Sequence, residues 1–210
     1  YTPGPDLPRR TRYLSAVLLP DDPVLTTGGS TGYRGKGASD ILKAQVYAPR
    51  TNAFTPVADP AVGRNYHSAA LLLPDGRVAT FGSDPLFADA ANTVPGTFEQ
   101  RIEVFTPPYL YRGERPRITG GPRQVRRGEK AVFRTPRSGG IASLRLMRPS
   151  AVTHTTDVEQ RSVALEFTRG TGSLTATVPE DPALVPRGWY MLFAVDKDGV
   201  PSTARWIHVT

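Results

Sequence analysis

The sequence predicts an all-β protein in which β-propeller blades are followed by a β-sandwich. Three observations carry this. The apolar runs are short and are interrupted by 20 Gly and 21 Pro among 210 residues, as expected of many short strands joined by tight turns. One strand-turn-strand unit occurs twice, with Tyr13 in the first copy standing 53 residues before Tyr66 in the second. The second half of the chain holds about seven candidate strands, several with clear period-two alternation, the count of a sandwich.

The two copies justify the blades. Residues 13–29 and 66–82 share an aromatic, Ser, Ala, three apolar residues, Pro-Asp, a turn residue, a β run and a closing Gly. In the second copy the turn is Pro74-Asp75-Gly76, and Asp-Gly between apolar runs is a strong hairpin signal. Outer strands are expected at Ala44-Gln45-Val46-Tyr47, Asn52-Ala53-Phe54-Thr55 and Arg101-Ile102-Glu103-Val104-Phe105. A repeat near this length, with paired strands and a Gly after the second, suggests four-stranded kelch-type blades. Two blades cannot close a propeller, which needs at least four. Further blades are therefore expected from elsewhere. The opening residues lack the charged-then-apolar order of a signal peptide and read as an internal stretch.

Around Pro107-Pro108 the character changes, and a boundary is expected near 107–115. Residues 1–112 are read as blades and 113–210 as the sandwich. Its expected strands are Arg117–Thr119, Lys130–Arg134, Ser143–Met147, Ser162–Phe167, Ser173–Val178, Trp189–Val195 and Thr203–Val209. Trp189 and Trp206 are read as core. Asp196-Lys197-Asp198-Gly199 reads as a turn, because it lacks the ligand spacing of a calcium loop. Arg112, Arg115, Arg117, Arg123, Arg126 and Arg127 form one basic cluster, read as a solvated edge.

Composition narrows the function. The net charge of +7 comes without an aromatic-interleaved basic stripe, so nucleic acid is not an expected partner. No apolar run reaches the roughly 20 residues of a membrane helix. There is no Cys, hence no disulfide and no thiolate ligand.

Two features stand out as chemistry. Tyr66-His67 sits at the mouth of the second hairpin. Neighbouring side chains on a strand point to opposite faces, so both reach one metal only where the backbone bends. His154 lies at the apex of a long hairpin tip, Met147 to Arg161, which lacks the usual Gly or Asn. Taken alone, Tyr66-His67 is better served by packing and hydrogen bonding, and His154 by an exposed loop.

Together these stretches resemble a family. Arg64-Asn65-Tyr66-His67-Ser68-Ala69-Ala70-Leu71-Leu72-Leu73-Pro74-Asp75-Gly76, Ala151-Val152-Thr153-His154-Thr155 and Gly188-Trp189-Tyr190-Met191-Leu192-Phe193 resemble the C-terminal part of the mononuclear copper-radical oxidases of the galactose oxidase and glyoxal oxidase type, in their bacterial form. The resemblance covers nearly the whole chain. It implies the last blades of a seven-bladed propeller, then an immunoglobulin-like sandwich whose hairpin delivers a histidine to copper. It implies Tyr66 as axial ligand and base for the substrate hydroxyl, and His67 and His154 as the two histidine ligands of one copper ion.

It further implies oxidation of a primary alcohol, aldehyde or glycan substrate by O2 to give H2O2, and a secreted or surface-attached protein. One Cu(II) takes one electron, and the family takes the other on a tyrosine cross-linked to a cysteine. With no Cys in the chain, that Tyr-Cys cofactor is expected from the missing N-terminal propeller portion, as a separate or nicked chain. The chain supplies three of four protein ligands and alone is expected to be inactive. The alternative is a non-catalytic module that binds a glycan or a protein.

Overall fold

The computed structural model describes residues 3–33, 41–84, 88, 91 and 93–210. Among them the regular elements are strands and short 3-10 turns. The first seven strands are β1 (Ser15–Leu18), β2 (Val24–Thr27), β3 (Ala44–Ala48), β4 (Ala53–Pro56), β5 (Ser68–Leu72), β6 (Val78–Gly82) and β7 (Glu103–Phe105). Then come β8 (Gln124–Val125), β9 (Lys130–Arg134), β10 (Ile141–Arg148), β11 (Val152–Thr153), β12 (Thr156–Asp157), β13 (Arg161–Gly170), β14 (Ser173–Thr177), β15 (Gly188–Asp196) and β16 (Arg205–Val209).

Contacts group the chain into two units, each discontinuous in sequence. The first comprises Tyr1–Leu72, Val78–Phe105 and Ser150–Glu159. It holds the four-stranded sheet β1-β2-β3-β4, the three-stranded sheet β5-β6-β7 and the ribbon β11-β12. All pairings in it are antiparallel. The two sheets are the propeller-blade pieces. In β5 the alternation is plain: Ser68, Ala70 and Leu72 are buried while Ala69 and Leu71 are half-buried. The repeat is visible in the turns as well. Asp22 at φ 84° fills in the first hairpin the left-handed position that Gly76 fills at φ 85° in the second. Asp tolerates that conformation better than most residues.

The second unit comprises Leu73–Arg77, Thr106–Pro149 and Gln160–Thr210. Its seven strands run in the order β8-β16-β15-β10-β13-β14-β9. Phe133, Leu144, Leu146, Leu174, Tyr190, Leu192 and Ile207 from these strands all enter one buried cluster. A sheet that feeds a single core from most of its strands has to wrap on itself, which gives the sandwich. Burying each such side chain contributes about 1.5–3 kcal/mol. The blade turn Leu73–Arg77 is held here. Leu73 N–H donates to Arg77 O at 2.8 Å, the Tyr109 hydroxyl donates to Gly76 O, and Ala204 N–H donates to Pro74 O at 2.8 Å.

Three expectations are corrected. Arg117–Thr119 forms no strand; Gly120 makes only an isolated bridge to Arg134, and Gln124–Val125 pairs parallel with β16 instead. Pro116 and Pro122 flank the segment and limit its pairing. Arg115 is only half solvated: its Nε and Nη2 donate to Pro201 O and Ser202 O at 2.9 and 2.8 Å, and burial pushes its guanidinium below its ordinary pKa. Trp189 and Trp206 are not core. They are 54% and 41% exposed. Trp189 alternates with Tyr190, which points into the core, and Trp206 alternates likewise with Ile207.

Candidate metal centre

All three candidate ligands lie in the first unit. Tyr66 and His67 sit immediately before β5. The backbone bends there, with His67 in the left-handed region at φ 59°, so two adjacent side chains share one side. His154 sits in the two-residue turn between β11 and β12. That turn has φ 53° at His154 and 69° at Thr155. Two successive positive φ values are those of a type I′ turn, which ordinarily takes Asn-Gly. A β-branched residue such as Thr is a true outlier there.

The rings meet. The centroids of Tyr66 and His67 are 3.9 Å apart, those of His67 and His154 4.9 Å, and those of Tyr66 and His154 5.8 Å. Tyr13, the repeat partner of Tyr66, packs edge-on against it at 5.3 Å. Tyr66 is half-buried, and both histidines are exposed. Each histidine has one ring nitrogen engaged: His67 Nδ1 lies 3.4 Å from Asp84 Oδ2, and His154 Nδ1 lies 2.7 Å from the Thr153 hydroxyl. In each ring Nε2 is therefore the nitrogen that remains for a metal.

Behind Tyr66-His67 stands a buried polar network that the sequence reading did not single out. Arg64 is 2% exposed. Its Nη1 donates to Gly82 O at 2.9 Å, and its Nη2 donates to Arg101 O at 2.8 Å and to Glu103 Oε2 at 3.3 Å. Asn65, also buried, donates its N–H to Ser83 Oγ at 3.2 Å and accepts from Ser83 Oγ at 2.7 Å. Ser68 Oγ donates to Asn65 O at 2.6 Å. Glu99 N–H donates to Ser83 O at 3.1 Å, and the Arg101 guanidinium holds the Glu99 carboxyl down to about 2. The available signal was the run of polar residues at the two strand mouths, Arg64-Asn65 and Ser83-Asp84.

The donor set suits copper: imidazole nitrogens favour it, and a phenol oxygen adds a hard donor. Among the described residues no three His, Cys, Asp or Glu side chains gather into a metal cluster; what lies together is two imidazoles and a phenol, with ring centroids 3.9 to 5.8 Å apart. The chain has no Cys from which to build a cross-linked tyrosine.

Residues 115–209 match the galactose oxidase-like early set domain. Galactose oxidase of Gibberella zeae is 34% identical over 204 residues, covering 93% of this chain and 29% of that protein. The aldehyde oxidase GLOX of Vitis pseudoreticulata is 34% identical over 212 residues, covering 92% of this chain and 40% of that protein. The solved structure of a fungal alcohol oxidase of the AA5 family, in complex with copper, superposes with a TM-score of 0.86 at 29% identity, over 99% of this chain and 44% of that one. The chain thus spans less than half the length of these relatives. It is a portion of the galactose oxidase/glyoxal (aldehyde) oxidase family, with that family's early set domain in its second half.

Proposed function

We propose that this chain is the copper-binding portion of a copper-radical oxidase that converts a primary alcohol or aldehyde with O2 and releases H2O2. The observation that carries the reading is the meeting of the Tyr66, His67 and His154 rings on two left-handed backbone bends. Strained backbone is retained where the surrounding structure holds it for a purpose. His67 and His154 would hold the metal through Nε2, and Tyr66 through its phenol oxygen. Bound copper would supply one of the two electron acceptors and acidify the substrate hydroxyl. Held at the metal as a phenolate, Tyr66 would take the hydroxyl proton on that oxygen, a transfer worth about 10²–10⁴-fold in rate. The second electron acceptor, the Tyr-Cys cofactor, belongs to the part of the oxidase outside this chain. The mature oxidase is secreted or held at the cell surface.

Cu(II) titration of the 210-residue chain, followed by electron paramagnetic resonance, tests this. One Cu(II) per chain with nitrogen couplings supports the reading, and no specific uptake sinks it. In the assembled oxidase, Tyr66→Phe should keep copper while turnover falls by about 10²–10⁴-fold. Unchanged turnover removes Tyr66 as the base.

A second reading, a non-catalytic module for a glycan, has one observation in its favour. Trp189 and Trp206 meet edge-to-face at 6.5 Å in an open depression also lined by Ile118, Arg123, Pro149 and Arg205. Quenching of Trp fluorescence by oligosaccharides, in a chain that takes up no copper, would favour that reading over the first.

A further inference from the structure

We infer that Asp84 is the positioning residue for His67: its carboxylate fixes the imidazole in the Nδ1–H form and so presents Nε2 to the metal. The inference deepens the copper reading and rests on it only for what Nε2 meets. Asp84 follows β6 through two residues of positive φ, Gly82 at 72° and Ser83 at 142°. This turn brings residue 84 back to Tyr66-His67. Its backbone N–H donates to Tyr66 O at 2.6 Å, and its Oδ2 lies 3.4 Å from His67 Nδ1. One residue thus holds the dipeptide through main chain and side chain at once.

The surroundings leave little freedom for this arrangement to relax. A Cβ on Gly82 would stand 2.7 Å from His67 O, so the turn is packed against the loop that it supports. Ser83 is tied to Asn65 by both of its Oγ hydrogen bonds. The Asp84 side chain is 11% exposed, whereas that of His67 is 41% exposed. The carboxylate is therefore sheltered on the protein side and the imidazole reaches outward. A carboxylate only accepts, so the proton of the facing imidazole belongs on Nδ1. The lone pair is then left on Nε2. Partners of this kind hold the tautomer and ring orientation of metal-binding histidines, and their loss typically costs 10–100-fold in metal affinity.

The test is long-range ¹H–¹⁵N NMR of the imidazole nitrogens in the metal-free 210-residue chain at mildly alkaline pH. The chain has 3 His, so His67 is assigned by comparison with His154→Gln and His208→Gln. The wild type should show His67 as Nδ1–H. Asp84→Asn should populate both tautomers, and Asp84→Ala should shift His67 to Nε2–H. A wild-type His67 already in the Nε2–H form overturns the inference, as does a tautomer unchanged in both variants. If Asp84→Ala does not fold, Asp84→Asn decides alone. Cu(II) titration of the same proteins should then show binding about 10–100-fold weaker in Asp84→Ala, with Asp84→Asn between it and the wild type. The tautomer pattern without copper uptake sinks the copper reading and leaves Asp84 in its role. Full copper affinity in Asp84→Ala removes Asp84 from that role and leaves the copper reading intact.

Discussion

Replacing Arg64 with alanine should destabilise the first unit by about 2–4 kcal/mol, the cost of taking the donor from two main-chain carbonyls at about 1–2 kcal/mol each. Arg64 is 2% exposed and meets Gly82 O, Arg101 O and Glu103 Oε2. Its removal orphans two main-chain carbonyls and a carboxylate. Glu103 would keep the 2.8 Å bond that its Oε1 accepts from Ala61 N–H and its longer-range attraction to Arg101. Domains are stable by only about 5–15 kcal/mol, so the loss is a large share of the whole. Urea denaturation reports it as a lower midpoint with the slope kept. Arg64→Lys should recover only part, because an ammonium cannot span three acceptors as a guanidinium fork does. A midpoint unchanged in Arg64→Ala would show that the network carries no net stability.

His154→Ala should weaken Cu(II) binding on the order of 10²-fold or more, beyond the loss caused by removing a residue that merely orients a ligand. The fold should survive. His154 is exposed at the tip of a two-residue turn and contributes nothing to the sandwich cluster. His154→Gly should lose copper equally and yet raise stability by about 1–2 kcal/mol, since glycine enters the left-handed region without the Cβ penalty. Thermal melts beside copper titrations separate the two effects. A destabilised glycine variant would mean that the His154 ring is needed for packing, and full copper affinity in either variant would remove His154 as a ligand.

Much of the fold was legible because local chemistry and the global pattern agree. Lys130–Arg134 alternates cleanly and is a strand with the buried pattern of one solvated face. Pro74-Asp75-Gly76 sits between two apolar runs and closes a hairpin. The misreadings have physical causes. In the middle of β15 both faces are buried, from Tyr190 to Val195. Alternation therefore could not reveal that cover ends at Trp189, where the tryptophan is exposed. For Arg117–Thr119 the β-branched content suggested a strand, but the bracketing prolines remove ladder donors.

At the site, the Tyr-His dipeptide and the histidine on an over-long tip were visible as residue types in odd places. What brings them together was not. The left-handed bend at His67 packs against residues that follow it by 15 to 17 positions, and the φ values at His154 and Thr155 belong to residue types that rarely adopt them. Asp84 carried no spacing motif, because a carboxylate facing an imidazole across a turn has no fixed sequence separation.

The interleaving of the two units also bears on how this stretch can be dissected or inherited. Because Ser150–Glu159 groups with the blade strands while Leu73–Arg77 groups with the sandwich, no single scission separates the units intact. A fragment ending at residue 105 keeps Tyr66 and His67 but loses His154. One beginning at 106 keeps His154 without the strands beside which its ribbon lies. The three rings can therefore be transplanted into another scaffold only as one block of sequence, from the first repeat through the ribbon and its flanking strands. A recombination breakpoint anywhere between 67 and 154 would part the ligands.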